Sequence, residues 1–121
     1  PELYVPNWTG FQRSDTVAMV FGMLDALTLD DMLIPVCTST HGNESFNLTW
    51  ATVLKHKKVV MFPDDPPHER VSADRLAQSM RLLGIPTTVA LLPYTDTIKD
   101  PNGFFETDRR KDLYKEMIKW F

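Results

Sequence analysis

Two adjacent carboxylates, Asp64 and Asp65, close the apolar run Val59-Val60-Met61-Phe62-Pro63. A short apolar run that ends abruptly in acid reads as a buried parallel strand whose C-terminal end opens onto a crevice. In open α/β sheets ligands bind at that end. Paired carboxylates there could hold a hard cation such as Mg²⁺ or Mn²⁺ through oxygen. Asp64-Asp65-Pro66-Pro67 is also good turn chemistry, so a plain acidic turn stands as the alternative. Two other apolar runs end in chemistry-bearing residues: Gly22 with Asp25, and Lys99-Asp100-Pro101-Asn102. His41 and His68 could join such a set, although lone loop histidines are usually just solvated.

These residues need elements to position them. Thr16–Phe21, Leu33–Thr38, Lys58–Phe62 and Thr87–Leu92 are apolar runs of strand length. Between the first two, Gly22 and then Met23–Leu29 read as a glycine turn entering a helix, with Asp25 in its first turn. Phe46, Trp50, Val53 and Leu54 share one helical face, with Trp50 expected in the core. A helix is predicted from about Glu69 to Leu83, carrying Leu76, Met80 and Leu83 inward and stopped by Gly84. The last helix is predicted to bury Tyr114, Met117, Ile118 and Phe121, with Arg109-Arg110-Lys111 on its polar side. Leu3-Tyr4-Val5 could add a short edge strand to the 1–15 lead-in, with Trp8 and Phe11 packed on the body. Connections too long for hairpins imply right-handed crossovers. The expected fold is α/β, one domain over residues 16–121, with a mainly parallel four-stranded sheet flanked by helices.

Composition narrows the function classes. The chain has 121 residues, 43% apolar and 24% charged, with net charge −3. That suits one ordinary globular domain and argues against a broadly basic nucleic-acid surface. Lys55-His56-Lys57-Lys58 falls at the N-terminal edge of its strand, opposite the expected crevice, and reads as a solvated loop. The lone Cys37 permits no internal disulfide, reads as a core residue and fits a cytoplasmic compartment. No apolar run approaches the ~18 residues of a membrane span, so no membrane partner is expected. A sequence that opens on Pro1 is expected to be a piece of a longer protein.

The order and spacing of the three polar strand ends resemble the Toprim domain of bacterial-type DNA primases and primase-helicases. That family's first motif is a strand ending in Glu-Gly with an Asp three residues after the Gly; here it reads Phe21-Gly22-Met23-Leu24-Asp25. Its second is a strand ending in Asp-x-Asp before a Gly turn and helix; here it reads Phe62-Pro63-Asp64-Asp65-Pro66-Pro67-His68. Its third is Leu-Pro, a spacer, then Lys-Asp-Pro-Asn/Asp; here it reads Leu92-Pro93, then Lys99-Asp100-Pro101-Asn102. Leu83-Gly84-Ile85-Pro86 fits the usual lead into the fourth strand. The resemblance covers about residues 16 to 105.

The resemblance implies a Rossmann-like fold and Mg²⁺-dependent nucleotidyl transfer or phosphodiester cleavage. On it, Asp25 and Asp65 would be catalytic. Asp25, Asp64, Asp65 and Asp100 would hold Mg²⁺ or Mn²⁺ weakly, and Gly22, Lys99 and Asn102 would touch phosphate or nucleic acid. The departures are as telling. The family's Glu falls on Phe21, the first Asp of Asp-x-Asp on Pro63, and the Gly of the turn on His68. Phe and Pro can neither hold a metal nor move a proton.

The implied function is therefore a primase-type domain of a DNA-replication or mobile-element protein, with weakened or lost catalysis and a scaffold or nucleic-acid-contact role. Its partners would be DNA, RNA or nucleotides and the other domains of a longer chain. One alternative is an active Mg²⁺-dependent nucleotidyltransferase or nuclease with a rearranged acidic set. Another is a doubly wound ligand- or protein-interaction module without a nucleic-acid role.

Overall fold

The computed structural model describes residues 3–39 and 49–121. Elements run β1 (Leu3–Tyr4), α1 (Trp8–Arg13), β2 (Thr16–Val20), α2 (Met23–Asp31), β3 (Val36–Ser39), α3 (Trp50–Val53), β4 (Lys58–Met61), α4 (Pro67–Leu82), β5 (Thr87–Val89), α5 (Pro101–Glu106) and α6 (Arg110–Met117). His41 and the start of the helix expected around Phe46 lie outside the described residues.

The four expected strands form the parallel core, ordered β3-β2-β4-β5. A fifth strand, β1, pairs antiparallel with β3 at the edge. Alternation of side chains across the pleat divides the interior in two. Ala18, Val20, Val60 and Phe62 face Ala26, Leu29, Phe104, Leu113 and Met117 on the side of α2, α5 and α6. Val17, Met19, Val59 and Met61 face Phe11, Trp50, Leu76, Ala77 and Met80 on the side of α1, α3 and α4. Cys37 is buried and Trp50 is in the core, as their apolar surroundings imply. Phe11 is buried, whereas Trp8 lies on it edge-on and is 47% exposed.

Three local expectations need correction. Leu33 lies outside β3, at φ 63°, and is 89% exposed. The inward face of α6 is Leu113 and Met117; Tyr114 and Ile118 are exposed. The long polar stretch after β5 contains a helix, α5, which Asp100 caps and Pro101 opens. Asp followed by Pro at the first helical position is its sequence signal. α4 ends as expected, on Gly84 at φ 84°, although Leu83 is exposed.

Lys57 shows why the basic loop matters to the fold. Its Nζ donates to the carbonyls of Phe11 (2.8 Å), Gln12 (3.3 Å) and Ser14 (2.7 Å). It thereby satisfies the C-terminal carbonyls of α1 and ties that helix to the β4 entry. Lys57 also joins Lys55, His56 and Lys58 in lining an open groove of about 530 Å³ at the N-terminal edge of the sheet.

Candidate functional site

The carboxylates gather beyond the C-terminal ends of β2, β4 and β5. Asp25 stands in the first turn of α2, where the helix dipole favours an anion. It is nevertheless only 5% exposed. One oxygen, Oδ1, accepts the backbone N–H of Asn102 at 2.8 Å. Gly22 is at φ −174°, an ordinary extended conformation, so left-handed geometry is not its reason. A Cβ there would lie 3.0 Å from Asp25 Oδ2; the glycine makes room for the carboxylate.

Asp100 caps α5, its Oδ1 accepting the Gly103 N–H at 2.8 Å. Asn102 bridges helices: its Oδ1 accepts the Thr28 hydroxyl at 2.8 Å and its Nδ2 donates to Glu106 Oε1 at 2.8 Å. This network locks α5 against α2 and brings Glu106 near Asp25.

Asp64 and Asp65 follow the end of β4 and find different surroundings. Asp65 pairs with Lys99, Nζ to Oδ2 at 3.1 Å, in an exposed ion pair. Asp64 is half-buried and feels Asp25, Asp100 and Glu69. Its Oδ1 is buried with no hydrogen-bond partner among the described residues. Burial first, then those three neighbours, push the Asp64 carboxyl up to about 7. Burial likewise raises Asp25, to about 6; the Asn102 N–H opposes the rise, and Asp100 and Glu106 add to it.

Phe21, at the position of the family's Glu, is half-buried and packs with the cluster on the α4 side of the sheet. His68 is exposed, 3.0 Å from Glu69. Of the residues expected to touch phosphate, Lys99 and Asn102 are engaged within the chain and Gly22 is half-buried. Three participants were not singled out from the sequence. Glu106 lies one helical turn beyond Asn102, a spacing that could have revealed it. Tyr94 donates its hydroxyl to the Pro63 carbonyl at 2.8 Å. Burial and four surrounding aspartates, Asp64 foremost, raise its pKa. Thr28 looks like an ordinary helix residue, and only the packing of α5 onto α2 gives it a partner.

The donor chemistry suits a hard cation: aspartate oxygens, one of them unpartnered and buried, with charges that repel one another in its absence. The geometry is not closed. Among the described residues, no three His, Cys, Asp or Glu side chains stand close enough together to hold a metal ion.

Fold and site together define an α/β protein with a mainly parallel, Toprim-like sheet and an acidic cluster at its C-terminal edge. No protein-family model matches the sequence, and no curated protein matches it. A solved structure does resemble the chain: a chain in the bacteriophage T7 complex of lagging-strand DNA polymerase with the primase domains of two gp4 subunits, bound to an RNA/DNA hybrid and dTTP. The TM-score is 0.64 at 20% identity, a likeness of fold. It covers 84% of this chain and 53% of that one, so the sequence spans about half the length of its neighbour.

Proposed function

We propose that this is a primase-like domain of a DNA-replication or mobile-element protein, with its own catalysis weakened or lost, acting as a scaffold or nucleic-acid contact in the cytoplasm. The observation that carries this reading is Phe21. Where the resembling family places its acid/base glutamate, a half-buried apolar ring packs against the core cluster on the α4 side of the sheet. Among the described residues no other carboxylate takes that strand-end position to manage a proton. The fold likeness to a complex containing primase domains supports the replication setting.

Among the described residues no helix is long and apolar enough to cross a membrane. Mg²⁺ or Mn²⁺ would be attracted weakly by Asp25, Asp64 and Asp100, and would supply charge neutralisation there. The chain's own part is to hold these oxygens at one edge: Asn102 fixes Asp25, and the α5 cap fixes Asp100. Asp65, committed to Lys99, is the less available carboxylate of its pair.

A second reading has one observation in its favour. Asp64 feels the charges of Asp25 and Asp100, as a carboxylate of a rearranged active set would. Purified domain, assayed for primer synthesis and nicking with Mg²⁺ or Mn²⁺ and for single-stranded DNA binding, separates the two. The expected result is binding without turnover. Metal-dependent turnover that Asp25→Asn and Asp64→Asn both abolish would instead establish the enzyme.

A further inference from the structure

Asp64 is held in an unfavourable place, and nothing bonded to its own Oδ1 holds it there. Burying a carboxylate among like charges costs free energy, so its neighbours in the chain must supply the restraint. Both are gripped by one loop, residues 94–99. Before Asp64, the Pro63 carbonyl accepts the Tyr94 hydroxyl at 2.8 Å. After it, the Asp65 N–H donates to the Lys99 carbonyl at 2.8 Å, and Lys99 Nζ meets Asp65 Oδ2 at 3.1 Å.

The loop is braced in turn. The Tyr94 ring lies 6.1 Å from the ring of buried Phe104. Ile98 is 1% exposed and anchors the far end in the core. Between them, the Thr95 N–H donates to the Ile98 carbonyl at 3.1 Å, and Thr95 Oγ1 accepts the Ile98 N–H at 3.2 Å. Tyr94 and Ile98 both belong to the spacer between Leu92-Pro93 and Lys99-Asp100, a stretch that the motif itself leaves unspecified.

We propose that the loop from Tyr94 to Lys99 is a clasp that positions Asp64 toward Asp25 and Asp100, as the carboxylate standing in for the one absent at Pro63. Tyr94 is a positioning residue acting through the Pro63 backbone, and Lys99 is its counterpart through Asp65. With Pro63 and Asp65 pinned on either side, Asp64 is left with Oδ1 buried and its carboxylate within reach of the charges of Asp25 and Asp100. The proposal rests on the acidic cluster being the functional site.

A double-mutant cycle in metal-free buffer tests it, with Tyr94→Phe, Asp64→Asn and both together. In the parent, loss of the hydroxyl lets Asp64 swing out and relieves repulsion, which offsets part of the lost hydrogen bond. In the Asp64→Asn background no such relief exists. The drop in Tm caused by Tyr94→Phe is therefore expected to be larger in that background, by about 3 °C or more. Equal drops in both backgrounds would make Tyr94 a merely structural bond and overturn the clasp. Amide exchange at Asp65 is expected to quicken about tenfold in Tyr94→Phe and to stay unchanged in Asp64→Asn. If Tyr94→Phe does not fold, Lys99→Met enters the same cycle from the other side, and the same non-additivity is required of it. Repeating the melts with Mn²⁺ separates the two claims. Non-additivity with no Mn²⁺ response in the parent would keep the clasp and remove the cation site.

Discussion

Asp64 concentrates the physics of this site in one side chain. Its carboxyl is pushed up to about 7 from the ordinary 3.8, and Asp25 moves the same way, to about 6. An acid whose folded-state pKa lies above its unfolded value binds a proton in the folded chain that the unfolded chain has released. Stability is then highest below the unfolded pKa and falls as pH rises through the folded one. Both groups predict a parent that loses stability between about pH 4 and pH 7. Asp64→Asn removes the larger contribution. At pH 7.5 it should stabilise the domain by roughly 1–2 kcal/mol, after allowance for solvent screening. Its stability profile should also be flatter than the parent's between pH 5 and 8. Urea unfolding across that range reads both effects; an unchanged slope would mean that Asp64 is solvated as an ordinary aspartate. The acid pair was legible in the sequence, but the choice between its members was not. Composition cannot tell which of two adjacent aspartates turns inward, because that depends on where a loop some thirty residues later places Tyr94 and Lys99.

At the scale of elements, the basic stretch Lys55–Lys58 shows how similar neighbours take unlike jobs. Lys57 reaches across to three carbonyls at the end of α1, whereas Lys55 and Lys58 are exposed. Hydrogen bonds from a charged donor contribute about 1.5–3 kcal/mol. Lys57→Met should cost that much stability and loosen α1, seen as faster amide exchange around Phe11. Lys55→Ala and Lys58→Ala should stay within about 0.5 kcal/mol. Similar losses at all three lysines would refute the tie. Periodicity identified α4, whose apolar spacing runs through a long window, whereas the glycine turn after β2 announced α2. It mistook the face of α6, where Tyr114 and Ile118 look as apolar as Leu113 and Met117. α5 was hidden for another reason: six residues are too few for a period, and only its Asp-Pro start announces it.

For the molecule as a whole, the acidic edge is a place of mutual repulsion, which a bound cation would relieve. Calorimetry with Mn²⁺ should find weak binding, with a Kd in the millimolar range. Asp64→Asn should weaken it further, and Asp65→Asn should change it little, since Asp65 is already paired with Lys99. Tight binding indifferent to Asp64→Asn would place the metal elsewhere. The sequence by itself determined the layered α/β plan, because continuous apolar runs followed by polar ends can be satisfied only by strands buried on both faces with their ends at one edge. It also determined that Phe21 and Pro63 occupy positions where the resembling family carries acids. The tertiary structure alone decided which carboxylates feel one another's charge. Asp25, Asp64 and Asp100 come from a helix, a loop and a helix cap far apart in sequence, and their convergence depends on strand order and crossover packing. It also decided that Asp65, Lys99 and Asn102 spend their polar groups within the chain, because a donor's choice of partner is set by distances that no local pattern contains.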